Sequence, residues 1–167
     1  QTGLTANSTY QNYVRAYNVS GESLDSNTTI KYTSAAVPVS LTLTAVNLSS
    51  MSVQWNQNGN PLTPPTSYQL LISTDIGFGV YSTSDTFNLQ LSTLNLSANT
   101  SYYYKVSAYN KGGGQSNYTS AIATHTLAAS PGAVSYTVNR TSAVVTLTGN
   151  GNAQGTEIWI TTNAFET

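Results

Sequence analysis

Apolar and polar residues alternate along much of this 167-residue chain. The alternation is clearest over five segments, at residues 40–46, 50–55, 68–72, 87–91 and 102–108. A period of two, with β-branched and aromatic residues at the apolar positions, predicts half-buried antiparallel strands. Clusters of Asn, Gly and Pro at residues 56–61, 75–79 and 111–114 predict the turns between them. No segment has a convincing helical period, so the sequence predicts an all-β chain.

The chain also repeats itself, with Tyr10 aligned on Tyr102 and residues 4–10 on residues 96–102. A period of about ninety residues is too long for a solenoid unit and fits a small β-sandwich domain. Two short linkers of small residues, at 33–38 and 126–131, each end in a proline that favours an extended chain. The sequence therefore predicts a slice of a tandem array, made of three parts. They are the C-terminal part of one domain at residues 1–36, a complete domain at 38–130, and the N-terminal part of another at 131–167.

Four aromatic residues carry a resemblance to a known family. Trp55 lies on the second predicted strand of the middle unit and Tyr68 on the third, while Tyr102 begins an alternating strand that Tyr10 repeats in the leading part. In this pattern the chain resembles the fibronectin type III family. The resemblance implies immunoglobulin-like (fibronectin type III) β-sandwiches in tandem, one complete and two partial. It also implies that Trp55 and Tyr68 belong to the core, and that Tyr10 and Tyr102 are corner tyrosines whose hydroxyls bond to nearby backbone.

The composition narrows the possible partners. Five basic and six acidic residues give a net charge of −1, and charged residues make up only 7% of the chain, against about 25% in average globular proteins. A surface of Ser, Thr and Asn has little long-range field, so we expect no nucleic-acid partner. There is no cysteine, which excludes disulfides and thiolate metal sites. No window approaches 18 apolar residues, so we expect no membrane span in this segment.

The residues that enzymes use are scarce. His125 is the only histidine, and it lies in a strand-like run that predicts a surface position. Asp75 and Asp85 flank separate predicted strands without a supporting base, so loop capping is the expected role. The glycine clusters precede no helix, which argues against a phosphate site. The sequence predicts neither catalysis nor a cofactor or metal.

Asparagine-linked glycosylation is the one modification that the sequence supports. The Asn-x-Ser/Thr motif occurs eight times, at Asn7, Asn18, Asn27, Asn47, Asn95, Asn99, Asn117 and Asn139. Two readings stay open. The motifs either carry glycans or follow by chance from a composition rich in Asn, Ser and Thr.

Three functions fit these observations, and the scaffold alone does not separate them. The first is a non-catalytic structural segment of a secreted or cell-surface protein, acting as a stalk, sheath or filament subunit. Its partners would be other copies of itself or neighbouring domains of the same array. The second is an adhesion module that binds a protein or glycan through loops or outward tyrosines such as Tyr13, Tyr81, Tyr103 and Tyr118. The third is a spacer in a secreted polysaccharide-degrading enzyme. Whether the terminal parts are completed in cis or by a neighbouring molecule also stays open.

Overall fold

A computed structural model describes residues 2–151 and 157–158 of the chain, and the elements across these residues are strands and turns. The strands are β1 (Thr9–Asn12), β2 (Tyr17–Asn18), β3 (Gly21–Glu22), β4 (Thr29–Tyr32), β5 (Val39–Val46), β6 (Met51–Asn56), β7 (Ser67–Ser73), β8 (Ser82–Thr86), β9 (Gln90–Thr93), β10 (Ser101–Tyr109), β11 (Ile122–His125), β12 (Val134–Val138) and β13 (Ala143–Leu147). The prediction of an all-β chain is confirmed. Among the described residues, no helix is long and apolar enough to cross a membrane.

Strands β5 to β11 form a sandwich of two antiparallel sheets. One sheet has the order β5-β6-β9 and the other has the order β11-β10-β7-β8. Alternate residues of the central strands point inward, since Met51, Val53 and Trp55 of β6 are buried while Gln54 and Asn56 are exposed. Strand β10 contributes Tyr102, Tyr104, Val106 and Ala108 to the same core. The buried cluster draws on residues 41 to 108 of this sandwich and on Ala35 of the linker before it, with Ile122 packed against it.

Two aromatic residues of the core, one on β6 and one on β7, pack against each other across the two sheets. Trp55 is 4% exposed and Tyr68 is fully buried, and their ring centroids are 5.7 Å apart in an edge-on arrangement. Aromatic pairs favour this geometry because the positive edge of one ring meets the negative face of the other. Burial raises the pKa of the Tyr68 hydroxyl above its ordinary value.

One strand begins later than the alternation predicts, and another was missed. Residues 87–91 are a predicted strand, but β9 begins at Gln90 because the chain turns at Asn88, whose N–H donates to Thr86 Oγ1 at 3.0 Å. Strand β8 carries no apolar residue, since its sequence is Ser-Thr-Ser-Asp-Thr. It is an edge strand, mostly exposed, and therefore has no alternation to detect.

The leading and trailing segments form small sheets outside the sandwich. Strand β1 pairs with β4, β2 pairs with β3, and β12 pairs with β13, all antiparallel. Most of their apolar residues are exposed in the described structure. Val14 is 73% exposed, whereas Val106, its equivalent in β10, is fully buried.

Candidate interdomain interface

A tyrosine hydroxyl holds the loop that leads into β1. The Thr5 N–H donates to Tyr10 Oη at 2.9 Å, and in the middle sandwich the Ser97 N–H donates to Tyr102 Oη at the same distance. Both bonds reach back five residues. The hydroxyls implied by the resemblance thus lie against the backbone of their own loops. The Tyr10 hydroxyl fixes the loop that carries Asn7, and the Tyr102 hydroxyl fixes the loop that carries Asn99.

The linker is tied to the same loop through Thr33 and Ser34. Thr33 Oγ1 donates to the Thr5 carbonyl at 2.7 Å and accepts the Ser8 N–H at 2.9 Å. The Asn7 N–H donates to the Ser34 carbonyl at 3.0 Å. The loop and the start of the linker are therefore joined by several hydrogen bonds.

The side chain of Asn7 extends from this loop into the middle sandwich. Its Nδ2 group donates to Thr66 Oγ1 at 2.9 Å and to the Tyr109 carbonyl at 3.3 Å, and its Oδ1 accepts the Lys111 N–H at 2.8 Å. The residue is 1% exposed and has a φ of 48°, a left-handed conformation that Asn tolerates better than most residues. Both ends of one side-chain amide are thus used across the junction.

The turn between β10 and β11 makes the reciprocal contact through Asn110. Asn110 Nδ2 donates to the Thr33 carbonyl at 3.2 Å, while its Oδ1 accepts the N–H groups of Gly112 at 3.0 Å and Gly114 at 2.7 Å. Gly112 lies against the Tyr32 ring, since a Cβ atom there would be 2.8 Å from Tyr32 Cδ2. The turn can approach this closely only with glycine at that position.

The second half of the linker is bonded to the loop that follows β6. Asn60 is 2% exposed; its Oδ1 accepts the Ala36 N–H at 2.9 Å and its Nδ2 donates to the Ala36 carbonyl at 2.8 Å. Asn58 Nδ2 donates to the Val37 carbonyl at 2.9 Å. Because Ala35 and Pro38 are also buried, the linker is part of the folded structure and has little freedom to bend.

The structure separates the sequons into two groups. The exposed acceptors are Asn18, Asn27, Asn47, Asn95, Asn117 and Asn139. Asn7 cannot carry a glycan in this fold, because the Nδ2 atom that would be modified is buried and bonded to Thr66. The Nδ2 atom of Asn99 is buried as well. Glycosylation of the eight motifs stays a prediction, and the burial of these two Nδ2 atoms argues against it at Asn7 and Asn99.

The ionisable residues considered in the sequence, His125, Asp75 and Asp85, lie apart from one another on strands and in a turn. His125 lies on the exposed face of β11, with Nε2 2.7 Å from Ser101 Oγ. The carboxylate of Asp75 accepts the N–H groups of Gly77 at 3.0 Å and Gly79 at 2.8 Å, and these bonds lower its pKa below the ordinary value of 3.8. Asp85 lies on the edge strand β8, opposite Gln69. In the part of the chain that the structure describes, no three His, Asp or Glu side chains are grouped as metal ligands.

The four tyrosines that the sequence predicts to point outward differ in their exposure. Tyr13 is 55% exposed and Tyr81 is 54% exposed. Tyr103 and Tyr118 are only half-buried, and the Lys105 ammonium lies 4.9 Å from the Tyr118 ring centroid and 4.1 Å from that of Phe78. The ring of Tyr118 is therefore already in contact with a lysine of β10 in the same sandwich.

The contacts of Asn7 were not anticipated from the sequence. One signal was available, since the repeat places asparagine at both 7 and 99, just before each corner tyrosine. The same letters also fit a sequon, and the partners of Asn7, Thr66 and Lys111, lie 59 and 104 residues further along the chain.

Comparisons with known proteins agree with this architecture. A fibronectin type III domain model matches residues 36–125, more than half of the chain. The chain is similar to the solved fibronectin type III domain of human fibronectin type III domain containing protein 3, with 28% identity and a TM-score of 0.50, covering 57% of this chain and 88% of that one. It is also similar to the FN1–FN3 domains of chicken CNTN1, with 23% identity and a TM-score of 0.48 over 74% of this chain and 42% of that one. Domains d3–d4 of rat CD45 match with 19% identity and a TM-score of 0.48 over 75% and 67%. No curated protein sequence matches the chain significantly.

Proposed function

Since this chain belongs to the fibronectin type III domain family, we propose that it is a non-catalytic structural segment of a secreted or cell-surface protein. Domains of this family are typically non-catalytic modules and are common in extracellular and cell-surface proteins. The segment acts as a stalk, sheath or filament subunit, in which residues 1–36, 38–130 and 131–167 belong to successive units. Its partners are the neighbouring units of the same array.

The interface around Asn7 carries this proposal. A tether between independent modules needs only a flexible linker. Here the linker is hydrogen-bonded at Thr33, Ala36 and Val37, and Ala35 and Pro38 are buried. The hydrogen bonds use amides, hydroxyls and backbone groups, so the contact does not depend on salt as an ion pair would. Such a joint transmits force and orientation from one unit to the next, which a stalk or filament requires.

Glycans on the exposed sequons would suit the same role. The six exposed acceptors lie in turns or near strand ends, where a glycan projects into solvent. We expect glycopeptide mapping of native material to find sugars among these six and none at Asn7 or Asn99. A glycan on Asn7 would contradict the joint, because the modified Nδ2 atom could not reach Thr66.

The experiment that tests the structural role is negative-stain electron microscopy of native material, with intact-mass analysis of the same sample. Ordered filaments or extended rods of regular spacing are the expected result. Particles in which successive units take many relative angles would contradict the proposal, since a bonded linker allows few.

An adhesion module is the second candidate, favoured by a groove of about 560 Å³ at the open side of the sandwich. The groove lies between β8 and β9 and is lined by Tyr81, Leu94 and Asn95, among others. An exposed aromatic ring beside amide and hydroxyl groups suits a sugar or an extended peptide. Chemical-shift changes at Tyr81 on titration with soluble glycans or peptides would favour this function, and a flat titration would count against it.

A further inference from the structure

The loop that contains Asn7 recurs 92 residues later in the same geometry. Asn99 has the same φ of 48°, and its N–H donates to the Leu127 carbonyl at 3.0 Å, as the Asn7 N–H donates to Ser34. Thr126 takes the place of Thr33, since its Oγ1 donates to the Ser97 carbonyl at 2.6 Å and accepts the Thr100 N–H at 3.0 Å. The backbone of the Asn99 loop and its hydrogen bonds to the linker thus match those of the Asn7 loop.

The next unit also begins on its linker in the same way. Asn150 Nδ2 donates to the Ser130 carbonyl at 2.8 Å, and this contact matches that of Asn58 with Val37 at 2.9 Å. The two asparagines have φ values of 42° and 52°, and each precedes a glycine with a φ of 80°. The described residues after Pro131 therefore repeat the contact that Asn58 makes with the linker before the middle sandwich.

The side chain of Asn99 nevertheless differs from that of Asn7 in one respect. Its Nδ2 atom is buried, yet it has no hydrogen-bond partner among the described residues. The corresponding atom of Asn7 has two partners, Thr66 and Tyr109. A buried amide donor without an acceptor is costly, so the arrangement around Asn99 calls for an acceptor that a neighbouring unit supplies.

We infer that Asn99 is a second interdomain contact residue, whose side-chain amide binds a following fibronectin type III unit as Asn7 binds the middle one. The occupant is a unit of this same kind in the same chain. It presents a hydroxyl and a backbone carbonyl to Nδ2 and a turn N–H to Oδ1. The inference rests on the proposed function as an array, and it adds that one asparagine per unit sets the angle between neighbours.

A duplicated chain tests this directly. It consists of residues 1–130 followed by a second copy of residues 38–130, which places a second set of Thr66, Tyr109 and Lys111 beyond Asn99. The middle unit is suited to this use because its core residues other than Ala35 lie within 38–130, and Ala128 takes the place of Ala35 in the linker before the second copy. Thr66→Val is made in the second copy alone and, as the matched control, in the first copy alone. Hydrogen exchange of the Asn7 and Asn99 side-chain amides is then followed by NMR.

The substitution in the second copy should speed exchange at Asn99 about tenfold, the effect of losing one buried hydrogen bond, and leave Asn7 unchanged. The substitution in the first copy should do the reverse. Equal exchange at Asn99 in both variants, with both units still folded by backbone amide dispersion, would overturn the inference. Backbone ¹⁵N relaxation separates this from failure of the proposed function. If the units at Asn7 tumble together but exchange at Asn99 does not respond to the substitution, only the inference is wrong. If the units tumble independently at both junctions, the inference and the proposed function are both wrong.

Discussion

Replacement of Asn7 by glycine should loosen the joint without disturbing the backbone of its loop. Glycine adopts the φ of 48° without strain, so the loss is confined to the three hydrogen bonds that the side chain makes with Thr66, Tyr109 and Lys111. At about 1 kcal/mol net for each bond, the upper limit is about 3 kcal/mol. Water entering the vacated space recovers part of this, so we expect about 2 kcal/mol, or about 30-fold in the opening equilibrium of the joint.

The backbone N–H of Lys111 reports this opening, because it donates to Asn7 Oδ1 at 2.8 Å. Its hydrogen exchange should be about 30-fold faster in Asn7→Gly. Asn95→Gly is the matched control, since Asn95 has a left-handed φ of 59° but is exposed. The Gly114 N–H, which donates to Asn110 Oδ1 at 2.7 Å, checks that the turn itself is intact. If Lys111 exchanges at similar rates in the two variants, Asn7 does not hold the joint and the reasoning fails.

Three further results are expected. Tyr102→Phe should lower the free energy of unfolding in urea by about 1–2 kcal/mol, because a backbone N–H loses its acceptor, whereas Tyr103→Phe should change it little. The N–H groups of Gly77 and Gly79 lower the pKa of Asp75 in the folded chain, so the ionised carboxylate stabilises the loop above pH 3.8. This stabilisation should be lost as the pH falls through the lowered pKa of the folded chain. An NMR titration midpoint at or above 3.8 would contradict this. Gly112→Ala should increase mobility between the leading segment and the middle sandwich in ¹⁵N relaxation, and Tyr32→Ala should restore the rigidity by removing the ring that the new methyl group meets. Mobility that persists in the double variant would assign the effect to the turn.

The core was predictable because burial leaves a periodic trace in the sequence. Met51, Val53 and Trp55 alternate with polar residues, and the same holds for Tyr102 and Tyr104. Edge strand β8 leaves no such trace, since it has no buried face of its own. Its existence follows from the hydrogen-bonding groups of β7, which need a partner on that side.

The interface was not predictable for a different reason. Its residues are Asn, Thr, Gly and backbone groups, which have the same composition as the exposed turns. Asn110 and Lys111 meet Thr33 and Asn7 only because the leading segment packs against the folded middle sandwich. Contacts at such separations carry no local pattern, so a repeat of single letters is the only trace they leave in one sequence.

The positions of asparagine in this chain are explained by backbone conformation better than by the glycosylation motif. Of the seven described non-glycine residues with positive φ, five are asparagine: Asn7, Asn58, Asn95, Asn99 and Asn150. The residue suits these positions because its amide tolerates the left-handed region and supplies both donors and an acceptor without charge. In a chain with only 7% charged residues, asparagine amides thus stabilise the turns, cap the loops and make the contacts between the leading segment and the sandwich. Three of the five also begin sequons, so turn and joint geometry already accounts for asparagine there. Burial then decides which of the three can still accept a sugar: Asn95 is exposed, whereas the Nδ2 atoms of Asn7 and Asn99 are enclosed.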